Sequence, residues 1–283
     1  MKLVRFGKVG DEKPGVLDEN GIIRDLSEVI DDVDGSTISP EYLNKLRKLN
    51  LSTLPLAPQN SRIGACVGHV GKLVCIGLNY VEHAKEANRD IPKEPVIFMK
   101  ATSSICGPHD DVKVPEGCEK VDWEVELGIV IGTIAKRVSK SDALDHVAGY
   151  CLVDDISERH FQSERGGQWT KGKCLDTFGP IGPWLVTKEE IPNPQTLDIW
   201  QDVDDKRYQN GNTSDMIFSV AFLVSYVSQF MTLMPGDIIA TGTPAGVGLG
   251  QKPQPTYLKC GQTLRLGIDG LGEQRHWCVP DLD

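Results

Sequence analysis

No stretch of the chain approaches the roughly 20 consecutive apolar residues that a membrane span requires, so no candidate span exists in it. The chain also lacks Cys-x-x-Cys pairs: its eight cysteines (Cys66, Cys75, Cys106, Cys118, Cys151, Cys174, Cys260 and Cys278) are scattered. A zinc knuckle or a thioredoxin-like motif is therefore not expected, and most of these residues read as buried thiols in a reducing compartment. Basic clusters are missing as well. The net charge is -10 and the isoelectric point about 5.1. That balance argues against a nucleic acid or an anionic membrane as partner, because phosphate recognition needs clustered cations. A small anionic substrate stays possible where a local cation offsets the field. Residues 1–7 carry no apolar signal core, which makes a cytoplasmic location the expectation. There is no internal repeat and no low-complexity segment.

The 283 residues, with 40% hydrophobic content, suffice for one large domain or for a main domain with a small appendage. Residues 1–66 read as a small N-terminal α/β module. Within it, residues 13–23 form a hairpin pattern with Asn20-Gly21 at the turn. A short helix is predicted over 40–49, and residues 51–62, rich in Pro, Ser and Asn, read as a linker. Residues 71–283 form the main domain. Leu73 to Gly77 is a short buried strand. A helix over 79–90 follows, with Asn79 as its cap, Glu82 completing a capping box and Pro92 beyond its end. Further strands are predicted around 95–99, 121–132, 147–154, 181–187, 196–203, 236–241 and 263–268. A long helix is predicted over 214–231, starting at Thr213 or Ser214 and apolar on most faces, hence buried. Strands dominate without regular βαβ alternation, so the fold class is α+β, mainly β.

The most telling segment is 121–130. Apolar and acidic residues alternate there, so Val121, Trp123, Val125, Leu127 and Ile129 share one strand face while Asp122, Glu124 and Glu126 share the other. Two carboxylates at i and i+2 repel each other. A third acid at the end of another strand, Asp154 or Asp155, would complete an oxygen-only cluster suited to a hard cation such as Mg²⁺ or Mn²⁺. Spacing alone leaves open the blander alternative, an amphipathic strand with acids on its wet face. On the 79–90 helix His83 and Glu86 lie at i and i+3, close enough to pair. A carboxylate beside an imidazole fixes its tautomer and raises its basicity, as a general base acting on water requires. Taken alone, that spacing equally describes a surface His–Glu pair. Gly246 to Gly250 superficially matches a dinucleotide fingerprint. Its third glycine comes too early, and the proline-rich 251–255 cannot open a helix.

Four segments together resemble the fumarylacetoacetate hydrolase family. They are Gly77-Leu78-Asn79-Tyr80-x-x-His83-x-x-Glu86, Trp123-Glu124-Val125-Glu126-Leu127-Gly128, Asp154-Asp155-Ile156-Ser157-x-Arg159, and Pro235-Gly236-Asp237 through Gly248. They span residues 71 to about 270 in the family's order. The resemblance implies a mixed β-roll built around a metal site, as a homodimer or a higher homo-oligomer. It implies that Glu124, Glu126 and Asp155 hold the cation, Mg²⁺ or Mn²⁺, because the family's acid directly precedes the Ile156-Ser157-x-Arg159 segment. Asp154 then faces the other way, and Asp122 is a solvated acid or one standing behind the ligands. It further implies His83 and Glu86 as the water-activating pair and Lys173 as the active-site lysine, with Lys171 a surface charge. Arg159, Gln162 and Thr243 match substrate-pocket positions. For Arg159 a structural ion pair with the acids is an equal alternative. The glycine loop is expected to let backbone approach the substrate. Many members carry an arginine where this chain has Leu78, and an apolar residue there cannot pair with an anion.

The family reaction implied is cleavage of a carbon–carbon bond beside a ketone in a 2,4-diketo acid. Residues 2–7, 12–15 and 176–187 resemble a bacterial subgroup acting on 2,4-diketo-3-deoxy sugar acids of L-rhamnose or L-fucose breakdown. The expected reaction is hydrolysis of 2,4-diketo-3-deoxy-L-rhamnonate (equivalently named from fuconate) to pyruvate and lactate. Oxaloacetate decarboxylation or ureidoglycolate cleavage on the same scaffold is the nearer alternative. A non-catalytic small-molecule binding protein is the farther one.

Overall fold

Runs of alternating and fully apolar residues build a fold dominated by strands. The computed structural model describes residues 1–282. The chain opens with β1 (Lys2–Lys8), β2 (Asp11–Leu17) and β3 (Ile23–Asp25), then α1 (Pro40–Leu46). It continues through β4 (Leu73–Gly77), α2 (Val81–Glu86), β5 (Val96–Lys100), β6 (Ile105–Cys106), β7 (Val112–Val114), β8 (Val121–Asp122) and β9 (Val125–Ile131). Next come β10 (Val147–Asp154), β11 (Ser157–Glu158), α3 (Thr170–Lys173), β12 (Gly179–Thr187), β13 (Asp198–Val203) and β14 (Lys206–Asn212). The last elements are α4 (Val220–Phe230), β15 (Ile238–Ala240), β16 (Thr263–Ile268) and β17 (Gly272–Pro280). One mixed sheet runs β3-β2-β1-β12-β10-β9-β15-β4-β5, with β6 paired to β12, and a second runs β14-β13-β16-β17-β7. This is the mainly-β α+β architecture expected from the sequence. No helix among the described residues is long and apolar enough to cross a membrane.

The N-terminal strands pair and pack with later ones. β1 pairs antiparallel with β12 through Lys2–Val186 and Leu3–Leu185. Leu3, Val16 and Leu26 share one core with Leu73, Cys75, Val130, Cys151 and Ile181. The hairpin turn falls where Asn20-Gly21 placed it: Asp18 Oδ1 accepts from the amides of Asn20 and Ile22, and Gly21 takes a φ of +74°. Lys206–Asn212 and Gly272–Pro280 are strands that the sequence does not signal. The first is polar almost throughout, and the second buries only Gln274, His276 and Cys278 along most of its length, so neither shows an apolar alternation.

Three local expectations are corrected. The 121–132 strand is two pieces: Val121–Asp122 pairs with β11, and Val125–Ile131 enters the large sheet between β10 and β15. The break moves Val121 and Trp123 into a different core from Val125, Leu127 and Ile129. The helix predicted over 79–90 is only Val81–Glu86, and its cap position, Tyr80, makes no side-chain cap bond. Asn79 is instead buried, donating Nδ2 to Phe218 O and Thr241 O and accepting from Phe218 N, so its amide ties three segments together. Glu82 does not cap; it pairs with Lys85 at the surface. The long helix begins at Val220, where Ser219 Oγ accepts from Phe222 N, while Thr213–Asp215 is a separate 3-10 turn. Val220, Leu223, Val224 and Val227 follow i, i+3, i+4, i+7 and are buried, each worth roughly 1.5–3 kcal/mol. The other face is not buried as expected: Phe222 stacks on Tyr226, Phe230 meets Tyr226 edge to face, and Phe230 is 63% exposed.

Candidate metal centre and active-site pocket

Glu124, Glu126 and Asp155 converge because β9 and β10 are antiparallel neighbours. Asp154 pairs with Val125 at the end of the ladder, and the amide of Asp155 donates to Glu124 O at 2.9 Å. Asp155 is thereby set beside Glu124, and one oxygen from each of the three acids lies within 4.8 Å of the others. All three are buried, so the wet-face alternative for these acids does not describe the folded protein. The donor set is oxygen only, as a hard divalent cation prefers. Asp154 points away, accepting from Glu124 N and from Gln201 Nε2.

Cations surround the cluster. Lys173 Nζ lies 2.6 Å from both Glu124 Oε2 and Asp155 Oδ2, and over the Phe98 ring. Arg159 donates Nη2 to Glu124 Oε1, Nε to Asp122 Oδ2 and Nη1 to Gln162 Oε1. Arg159 is thus engaged in the structural ion pair, although it also lines the pocket. Lys171 stands at the surface, donating to Arg165 O. Burial pushes the Glu124 carboxyl up, but the charges of Arg159 and Lys173 outweigh it and hold the group well below the usual range. Glu126 goes the other way. Burial, and then the charges of Asp155 and Glu124, push it well up. Its hydrogen bond is from the amide of Gly242 at 2.8 Å.

The glycine loop does something the sequence reading missed. Its amides hold carboxylates rather than lying open to a substrate. Gly242 N donates to Glu126, Gly246 N to Glu86, and Gly248 N and Leu249 N to Asp122. One close approach requires glycine: a Cβ on Gly246, which has φ +110°, would stand 2.0 Å from the backbone oxygen of Tyr208. Asp122, expected to be solvated or behind the ligands, is fully buried behind them. Thr243 also differs from a free substrate ligand. Its hydroxyl donates to Val125 O and accepts from Gln209 Nε2.

His83, Glu124, Glu126, Arg159, Gln162, Lys173 and Thr243 all line one cavity of about 120 Å³. Leu78, Phe98, Trp169 and Leu249 supply its apolar wall, and Leu78 holds an uncommon φ of +56°. His83 Nδ1 lies 3.3 Å from Glu86 Oε2. A larger cleft of about 860 Å³ opens beside the N-terminal strands. Its arginines are committed to neighbouring acids, Arg5 to Asp32 and Arg62 to Glu12 and Asp110. Lys100 was not singled out from the sequence. A lysine at a strand end reads as a solvated charge, yet here its ammonium is buried against Asp155.

Asp154 offers a test of how the cluster is packed. Burial raises its carboxyl from an ordinary 3.8 to about 7, against the pull of the Glu124 amide and Gln201. A group raised in the folded state contributes its stability in full below the unfolded value and loses it as pH climbs through the folded one. Asp154→Asn is therefore expected to flatten the fall in melting temperature between pH 4 and 7 relative to the parent chain. The Gln201 amide can turn over to meet the new donor, since its Oε1 has no partner. Superimposable melting-temperature profiles of the two chains across that window would refute the assignment.

The chain is similar to known proteins over nearly its whole length. The family model described as the fumarylacetoacetate hydrolase C-terminal region matches residues 72–279. A Burkholderia ambifaria protein that bears only a provisional name of hydrolase is 62% identical over 274 residues, covering 97% of each chain. Among solved structures, the fumarylacetoacetate hydrolase of Exiguobacterium antarcticum aligns with a TM-score of 0.87 at 33% identity, over 99% of this chain and 100% of that one. Maleylpyruvate hydrolase from a Sphingobium species, solved with manganese(II) and pyruvate, aligns with a TM-score of 0.83 at 29% identity over 99% of both chains.

Proposed function

Because the chain belongs to the fumarylacetoacetate hydrolase family, we propose that it is a metal-dependent hydrolase that cleaves the C3–C4 bond of a 2,4-diketo acid. The observation that carries this reading is a cavity lined by Glu124, Glu126 and His83, with Asp155 clustered behind the two glutamates and Glu86 behind His83 Nδ1. The all-oxygen set fits Mg²⁺ or Mn²⁺. Glu124, Glu126 and Asp155 would hold the ion, competing with Lys173 for Glu124 Oε2 and Asp155 Oδ2. When bound, a divalent cation supplies a Lewis acid for the C1 carboxylate and C2 ketone and offsets the acidity of the site.

The protein's own groups do the rest. His83 takes a proton from water, with Glu86 behind its Nδ1. The hydroxide adds to the C4 carbonyl, and Lys173 donates to the oxygen on which charge gathers. The C3–C4 electron pair leaves with C3 as the enolate of pyruvate. C3 then takes a proton, and C4 departs as a carboxylate. The substrate proposed is 2,4-diketo-3-deoxy-L-rhamnonate, which gives pyruvate and lactate. Support for it comes from the resemblance of residues 2–7, 12–15 and 176–187 to enzymes of that kind. An apolar Leu78 at the pocket suits the uncharged far end of this substrate.

The test is pyruvate release from 2,4-diketo-3-deoxy-L-rhamnonate with Mg²⁺ and with EDTA, beside oxaloacetate and a simple acylpyruvate. Metal-dependent release with equimolar lactate is expected. Turnover of oxaloacetate alone would move the chain to the decarboxylase reading. Binding without release would make it a non-catalytic binding protein.

A further inference from the structure

Each of the three acids has one oxygen tied off by a different part of the fold. Arg159 Nη2 holds Glu124 Oε1, the amide of Gly242 holds Glu126 Oε2, and Lys100 Nζ holds Asp155 Oδ1 at 2.6 Å. Lys100 closes β5. Its ammonium also donates to Ile156 O at 3.0 Å, and its stem passes Gly179, where a Cβ would lie 3.4 Å from Lys100 Cε. None of its side chain is exposed, and it stands outside the residues that line the cavity. It therefore does not reach a substrate. Lys173 differs: it lines the cavity and grips the other oxygens, Glu124 Oε2 and Asp155 Oδ2.

We infer that Lys100 is a positioning residue that confines Asp155 to one ligand oxygen. The inference rests on the reading of Glu124, Glu126 and Asp155 as the cation's ligands. A carboxylate left alone can take a divalent ion on one oxygen or on both. An ammonium fixed on Oδ1 opposes the second mode, because it would be drawn against a dication lying in the fork of the carboxylate. A six-coordinate ion held by three single oxygens keeps three positions for other ligands. An α-keto acid chelating through its carboxylate and ketone needs two of them. Burying an ammonium is costly unless it is paired. Lys100 is paired on one side with Asp155 and on the other with a backbone carbonyl, which holds the carboxylate at a fixed angle to the strand.

The experiment uses the full chain loaded with Mn²⁺ alone, read by electron paramagnetic resonance with ¹⁷O-labelled water, before and after oxalate as the chelating probe. The parent chain is expected to show three exchangeable waters on the ion, and one after oxalate. Lys100→Met is expected to show one water fewer on the ion, tighter Mn²⁺ binding, and roughly 10-fold weaker oxalate binding to the Mn²⁺ form. Lys100→Arg, which keeps a cation, is expected to restore the parent water count. Two or fewer waters in the parent chain, or an unchanged count and oxalate affinity in Lys100→Met, overturn the inference while leaving the metal site standing. Failure of the parent chain to bind Mn²⁺ at all overturns the metal reading and the inference with it. Should Lys100→Met not fold, the parent count decides.

Discussion

Glu126→Ala removes nearly all metal-dependent turnover while leaving the chain folded; that is the outcome expected when pyruvate release is measured with Mg²⁺ and with EDTA. The reason lies in how unevenly the three acids are compensated. Glu124 is held by Arg159 and Lys173, and Asp155 by Lys100 and Lys173. Glu126 has an amide, not a cation, as its partner, and burial plus two neighbouring carboxylates push its proton affinity up. It is the acid that a dication would relieve most, and also the one whose removal strands no buried lysine or arginine. A fall of about 10³-fold in turnover is expected, of the size lost when a principal electrostatic stabiliser is deleted. Thermal melting supplies the control. Mg²⁺ should raise the melting temperature of the parent chain, because a ligand that binds only the folded state stabilises it, and should leave Glu126→Ala unmoved. Retained activity of the variant under metal-free conditions would sink the metal mechanism.

What the sequence made legible is what alternation along one strand can encode. Glu124 and Glu126 at i and i+2 share a face, and adjacent acids at a strand end must point apart, so Asp154 and Asp155 could not both join them. The structure sends Asp154 to Gln201 and Asp155 to the cluster. What stayed hidden are contacts between segments far apart in the chain. Lys100 reaches Asp155 across 55 positions, and Gly248 reaches Asp122 across 126. No local pattern marks a lysine as buried or says that a glycine loop will spend its amides on carboxylates. Composition misled in one place for the same reason. Asn79 and Glu82 have the spacing of a capping box, but the amide of Asn79 is worth more bridging residue 218 to Thr241 in the interior than capping a two-turn helix. A buried side chain that satisfies two backbone carbonyls and one backbone amide avoids desolvation losses of roughly 1–3 kcal/mol for each group left unpaired.

Glu86→Gln separates hydrolysis from decarboxylation on this scaffold. Glu86 faces two partners at once: Gly246 N donates to its carboxylate, and His83 Nδ1 lies 3.3 Å from Oε2. A carboxylate there favours a proton on Nδ1 and leaves Nε2 free to accept one from water. In the glutamine variant one oxygen can still serve Gly246, but the amide NH₂ then faces Nδ1 and favours the opposite tautomer, with Nε2 already protonated. The geometry survives and the base is lost. Hydrolysis of a 2,4-diketo acid should fall by about 10²–10⁴-fold, mainly in kcat, as expected for loss of a general base. Decarboxylation of oxaloacetate needs no activated water, only a cation to draw electrons from the ketone, so any such activity of the parent chain should persist within a few-fold. The two substrates, run on the same variant, therefore read out different halves of the site. Equal losses on both would mean that the pair positions the substrate instead of activating water, and undiminished hydrolysis would remove Glu86 from the chemistry.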